Sequence, residues 1–177
     1  MKSRCLVHGP GSIIGLMKLA DKILSWDQLS VWRIGLRGAG RKLVVTNGCF
    51  DLLHLGHVTY LEAARAQGDA LLVGVNSDQS VRELKGDGRP INTESDRAAV
   101  LAALQSVDAV CVFTDKTALR FLSAIQPDVY VKGGDYTVDT INQEERRLVE
   151  QLGGKVVVLA GVPGKSTSSL VEKLKTL

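Results

Sequence analysis

Paired cysteines, aromatic clusters, long apolar runs and blocks of one charge are all missing from this chain, and each absence narrows what it does. Cys5, Cys49 and Cys111 are widely spaced, and no Cys-x-x-Cys occurs. That excludes a disulfide framework and a zinc ribbon and fits a reduced, cytoplasmic setting. The apolar stretch from Ile13 to Met17 is short and ends at Lys18, too little for a signal peptide or a membrane span. Aromatic residues make up 5% and the formal charge is only +3, with no basic block. Neither a base-stacking platform nor a cationic nucleic-acid surface is indicated. Neither nucleic acid nor membrane is therefore expected as a partner.

What is present suits one soluble domain. The 177 residues are 45% hydrophobic and 23% charged, enough for one substantial core. Residues 1–16 contain Gly9-Pro10-Gly11 and no sustained periodicity, so they read as a loosely held extension before a domain spanning 17–177. Ile23 to Leu29 suggests a short helix with Ser25 as its cap. Gly35 to Gly40 is glycine-rich but precedes a strand, the reverse of a dinucleotide fingerprint, and reads as a turn.

From Arg41 onward, apolar runs alternate with helical patterns. Strands are expected at 43–46, 70–75, 109–113, 129–131 and 156–159. Helices are expected at 56–67, 94–105, 116–125, 142–151 and 167–175. Continuously apolar strands separated by helices imply a doubly wound α/β domain with one parallel, Rossmann-like sheet. Ligands of such sheets bind beyond the carboxyl ends of the strands.

The first of those ends carries Thr46-Asn47-Gly48-Cys49-Phe50-Asp51, then His54-Leu55-Gly56-His57 at the start of a helix. Unpaired N–H groups and the positive helix end attract phosphate there. Two imidazoles three residues apart suit charge stabilisation in phosphoryl or nucleotidyl transfer. Two other readings stay open: a zinc site with Cys49 as third ligand, and a pair of helix-capping histidines without chemistry.

This string resembles the signature of the nucleotidyltransferase superfamily with the His-x-Gly-His motif, in its cytidylyltransferase-like branch. Two further strings are similar to segments of the bacterial heptose-phosphate adenylyltransferases. Asn76-Ser77-Asp78 followed by Lys85-Gly86-Asp87-Gly88-Arg89-Pro90 is one, and Lys132-Gly133-Gly134-Asp135-Tyr136 is the other. Gly164-Lys165-Ser166 mimics a P-loop tail, yet Leu159 stands where a P-loop needs glycine. It corresponds instead to the superfamily's Ser-Thr-rich triphosphate motif. Some members have an arginine before that motif, where this chain has Gly161.

The resemblance implies transfer of AMP from ATP to D-glycero-β-D-manno-heptose 1-phosphate, giving ADP-heptose and pyrophosphate for lipopolysaccharide synthesis. It implies His54, His57 and Lys132 at the reacting phosphates. Thr46, Asn47, Gly48, Cys49, Phe50, Gly56, Gly133, Gly134, Asp135, Ser166, Thr167 and Ser168 would hold the nucleotide. Asp51, Asn76, Asp78, Lys85, Arg89 and Arg97 would hold the sugar phosphate. Lys85 and Arg89 are placed on a loop over the site, and Gly133 and Gly134 are read as room for the base. Mg²⁺ is expected on the triphosphate without named protein ligands, and the assembly is expected to be a homo-oligomer. Two rivals stand beside this expectation. One is a cytidylyltransferase acting on glycerol 3-phosphate or ethanolamine phosphate, and the other a nucleotide-binding regulator without turnover.

Overall fold

Five apolar segments pair into one parallel sheet: β1 (Leu43–Gly48), β2 (Ala70–Asn76), β3 (Ala109–Phe113), β4 (Val129–Gly134) and β5 (Lys155–Ala160), in the order β3-β2-β1-β4-β5. The computed structural model describes residues 18–176 apart from 135, 163, 165 and 166. The extension expected at 1–16 lies outside the described residues, as do Asp135 and Ser166. Among the described residues the helices are α1 (Leu19–Lys22), α2 (Trp26–Gly38), α3 (Leu55–Arg65), α4 (Asp78–Lys85), α5 (Glu94–Ala102), α6 (Leu119–Ile125), α7 (Gln143–Gln151) and α8 (Thr167–Lys175).

Successive strand residues point to opposite faces, and both faces are covered. Leu43, Val45, Leu72 and Tyr130 pack with Leu29 and Leu36 of α2, Phe121 and Ile125 of α6 and Val149 of α7. Val44, Leu71, Val73 and Val131 pack with Leu61 and Ala64 of α3 and Ala98 and Leu101 of α5 on the other face. Each fully buried Leu or Val contributes about 1.5–3 kcal/mol, so the two-sided core fixes the layering.

Two local expectations are corrected. Ser25 does precede a helix, but that helix runs to Gly38, through the glycines read as a turn. Leu29, Arg33 and Leu36 form a buried stripe at helical spacing, and their burial outweighs about 1 kcal/mol of lost propensity per glycine. The turn falls at Ala39 and Gly40, where φ reaches +66°. The second correction is Lys85. It is the last residue of α4, a helix absent from the expected set, and the loop begins only at Gly86. Ser77 starts that helix by accepting the Ser80 N–H at 3.2 Å, and Val81 is fully buried beneath it.

The sheet opens where the strand order reverses. β1 pairs with β4 at Val44–Val129 and Val45–Tyr130. At the next position on each strand the Tyr60 hydroxyl of α3 bridges them, 2.6 Å from Thr46 Oγ1 and donating to the Val131 carbonyl at 3.0 Å. Since Tyr60 spends its one proton on Val131, Thr46 is the donor to Tyr60. A crevice at the β1/β4 switch is where an open α/β sheet binds its ligand.

Candidate active site

The turn from β1 into α3 is held open from behind. Phe50 adopts φ +46°, a left-handed conformation that costs a bulky residue energy. A Cβ on Gly48 would stand 3.1 Å from the Phe50 ring, so glycine suits that position. Arg97 of α5 donates Nη1 to the Cys49 carbonyl at 2.6 Å, Nε to the Asn92 carbonyl at 3.1 Å and Nη2 to Asp78 at 2.7 Å. Asp51 accepts the N–H groups of Ile91 and Asn92 at 2.8 and 3.0 Å through one oxygen. Its other oxygen lies 2.9 Å from Arg89 Nε. That last contact is a charge contact whose N–H is not aligned on the oxygen, since neither atom has a linear hydrogen bond. Asn76 donates to Ser80 Oγ at 2.8 Å.

The side chains assigned to the sugar phosphate therefore divide. Asp51, Asp78, Arg89 and Arg97 are engaged with one another or with backbone, and Asn76 with the Ser80 hydroxyl. Lys85 is exposed, and its charge reaches both His57 and Cys49. It faces the histidine turn from α4 rather than from a loop.

His54 is the N-cap of α3, with extended backbone, and its carbonyl accepts the His57 N–H at 2.9 Å. The imidazoles lie 3.9 Å apart between centroids, and the Phe50 ring is 5.5 Å from that of His57. Burial, then the neighbouring His54 and Lys85 charges, push His57 down to about 4. At neutral pH it is an uncharged donor, and an arriving anion favours its protonated form. Gly56 occupies the first turn between them. Burial raises the Cys49 thiol above its ordinary value, so it is a packed thiol rather than a ready thiolate ligand. Among the described residues no group of three His, Cys, Asp or Glu side chains could hold a metal ion, which leaves the zinc reading without a ligand set.

Near the end of β4, Lys132 Nζ donates to Asn47 Oδ1 at 3.1 Å and lies 5.5 Å from the ring centroids of Tyr130 and Tyr136. Burial lowers the Lys132 ammonium's pKa, while the Glu145 charge raises it. The Tyr130 hydroxyl stands 2.6 Å from Asn47 Oδ1 and 2.7 Å from Glu145 Oε2. Gly133 and Gly134 part company. A Cβ on Gly133 would collide with the Tyr60 ring, so its missing side chain makes room for a neighbour of the core and not for a base. Gly134, with φ +92°, faces open space. Thr167, at the start of α8, donates to the Leu52 carbonyl at 3.3 Å, which sets that helix against the histidine turn. Ser168 follows in α8. Tyr60, Asn92, Tyr130 and Glu145 were not anticipated from sequence. Tyr60, Tyr130 and Glu145 lie inside helical or strand patterns, where an apolar or solvated role reads equally well, and Asn92 lies in the loop before α5.

Residues 45–170 match the family model described as cytidylyltransferase-like. The chain belongs to the cytidylyltransferase-like family. It is accordingly a nucleotidyltransferase, and the resemblance of its His-x-Gly-His turn is borne out. It is 52% identical over 155 residues to the bifunctional protein HldE of Methylobacillus flagellatus, covering 88% of this chain and 31% of that one. Against the HldE of Geotalea uraniireducens the figures are 48% over 172 residues, 94% and 35%. The chain thus spans about a third of the length of these relatives. A lipopolysaccharide core biosynthesis protein from Thermoplasma volcanium superposes with a TM-score of 0.58 at 28% identity, covering 70% of this chain and 98% of that one. Pantoate-β-alanine ligase from Francisella tularensis, at 16% identity and a TM-score of 0.57 over 88% of this chain and 72% of that one, shares the fold. Among the described residues no helix is long and apolar enough to cross a membrane.

Proposed function

We propose that the chain transfers AMP from ATP to D-glycero-β-D-manno-heptose 1-phosphate, releasing pyrophosphate and forming ADP-heptose for lipopolysaccharide synthesis. The observation that carries the reading is that the His54–His57 pair, at the start of the helix after β1, and Lys132, near the end of β4, both stand at the carboxyl ends of the two strands between which the order reverses. The half-identical HldE relatives and the resemblance of Lys85 to Pro90 and of Lys132 to Tyr136 supply the adenylyl and heptose parts. A phosphate oxygen of the sugar attacks the α-phosphorus, the bond to the β-phosphate oxygen breaks, and pyrophosphate departs.

The nucleophile is already anionic, so no strong base is required and the protein contributes position and charge. His54 and His57 donate to the α- and β-phosphates. Lys132 leaves Asn47 for a phosphate oxygen. Lys85 attracts the sugar phosphate from α4, whereas Arg97, Asp51 and Arg89 hold the turn and loop that frame it. The β,γ end meets Ser166, Thr167 and Ser168, and Gly134 leaves backbone open to the base. The donors at hand are imidazole, ammonium and hydroxyl groups, which fit an Mg²⁺ carried on phosphate oxygens and water. Mg²⁺ held in that way would supply charge neutralisation at the pyrophosphate. The reading carries with it a cytoplasmic setting and a homo-oligomer.

The test is pyrophosphate release with ATP or CTP against heptose 1-phosphate, glycerol 3-phosphate and ethanolamine phosphate. ATP with heptose 1-phosphate is expected to exceed CTP by at least about tenfold in kcat/KM, or ~1.4 kcal/mol. A preference for CTP with either small phosphate moves the chain to the cytidylyl branch. Nucleotide binding without turnover makes it a regulator.

A further inference from the structure

Glu145 is a carboxylate 5% exposed, tied into the cleft by hydrogen bonds yet given no part in the transfer described above. We propose that Glu145 is a positioning residue for Lys132, acting through the Tyr130 hydroxyl and the Asn47 carboxamide to fix where the ammonium stands and to keep it available to phosphate. The proposal rests on Lys132 being a phosphate ligand of the transfer reaction.

Proton counting gives the argument its content. Tyr130 has one hydroxyl proton and two oxygens beside it, Asn47 Oδ1 at 2.6 Å and Glu145 Oε2 at 2.7 Å, so it serves one at a time. With Lys132 donating to Asn47 at 3.1 Å, the Tyr130 proton rests on Glu145. When Lys132 turns to a phosphate, Asn47 Oδ1 loses a donor inside the protein, which is costly. Rotation of the Tyr130 O–H onto Asn47 replaces that donor and holds the amide in place. Glu145 keeps the Ala118 N–H on its other oxygen at 2.8 Å throughout.

Charge adds a second contribution. Burial opposes the ammonium form of Lys132, and Glu145 is the first of the groups opposing that effect, followed by Cys49. The groups facing Lys132 are Glu145 from α7, Cys49 after β1, and Tyr130 and Tyr136 from β4 and its continuation. Tyr60 of α3 directs its hydroxyl to Thr46 and Val131 instead.

Glu145→Gln separates this from plain packing. The amide keeps an acceptor for Ala118 and offers an N–H to the Tyr130 oxygen, leaving the phenolic proton for Asn47. Every hydrogen bond survives and only the charge is lost. Tm is expected to be unchanged, while the alkaline limb of kcat/KM for ATP moves to lower pH by about one unit. The Lys132 signal in ¹³C-lysine-labelled protein, assigned by its disappearance in Lys132→Arg, moves down by the same amount. Superimposable pH limbs and lysine titrations overturn the proposal. So does a fall in Tm with activity lost evenly at all pH values, which marks Glu145 as packing alone. Tyr130→Phe is the second variant. It keeps the charge and cuts the link, so KM for ATP is expected to rise severalfold with a smaller displacement of the Lys132 titration. Should Glu145→Gln not fold, an unchanged KM in Tyr130→Phe overturns the idea. If the wild-type chain shows no turnover, the proposed reaction fails, and the lysine titration still decides whether Glu145 governs Lys132.

Discussion

Arg97 distinguishes a side chain that builds a site from one that binds its substrate. It is 2% exposed and donates from three nitrogens to the Asn92 carbonyl, the Cys49 carbonyl and Asp78. Arg97→Ala removes all three donors. Breaking a buried ion pair by deleting one partner costs about 3–5 kcal/mol. Asp78 is 27% exposed, so water recovers part of its share. Against that, two carbonyls lose a charged donor at about 1–3 kcal/mol each where they stay dry. A net loss of about 3–5 kcal/mol follows, and at about 2–4 °C per kcal/mol for a chain of this size Tm falls by about 6–20 °C.

The assay is thermal and urea unfolding followed by circular dichroism, with turnover measured well below the lowered Tm. Arg97→Lys is expected to recover little, because one ammonium cannot reproduce a three-way planar fork. A sugar-phosphate ligand behaves in the opposite way: Tm stays put and KM for the acceptor rises. Should Arg97→Ala unfold within about 2 °C of wild type, the positioning role is refuted and the substrate role returns.

Three other expectations concern the cleft. Lys85→Ala raises KM for the sugar phosphate more than for ATP, because an exposed lysine supplies a point charge to an anion; a selective loss of ATP affinity in titration calorimetry would move it to the triphosphate side. His57 titrates near 4 in the folded chain against an ordinary 6.5. Its contribution to stability is complete above 6.5 and is lost as pH falls from 6.5 to about 4, so His57→Gln flattens Tm against pH across that window, and parallel curves refute it. Gly133→Ala drives a methyl into the Tyr60 ring and costs about 1–3 kcal/mol by overpacking; an unchanged Tm shows that Tyr60 moves aside freely.

The layered fold was legible because the strands are buried on both sides and read as apolar runs. The histidine turn was legible because its residues sit together in the chain. What stayed hidden depends on contacts across the fold. Leu36 is buried by α2 packing against the sheet, and that burial carries a helix through glycines that locally favour a turn. Gly133 looks like room for a ligand until Tyr60, from a helix 73 residues earlier, is found in the space. Arg97 and Lys85 are both cations near loop sequence, and only tertiary burial shows that one is engaged and the other exposed. Glu145 carries no local mark at all, since an acidic residue in the first turn of a helix is ordinary.

These assignments share one physical division. The ion-paired groups, Arg97 with Asp78 and Asp51 with Arg89, are turned on one another and on backbone, where they hold a left-handed Phe50 and a polar loop against the sheet. The groups facing the crevice are a histidine kept neutral by burial and a lysine whose charge burial opposes. With His57 uncharged at neutral pH, the empty site carries less positive charge than its residue list suggests. On the proposed reading, polyphosphate would favour protonation of His57, so attraction would grow as the ligand arrives. In the proposed reaction the same groups would then face the charge that develops on the α-phosphorus oxygens, in a turn already fixed in place. That preorganisation is what a reaction with an anionic nucleophile and no need of a base asks of its protein.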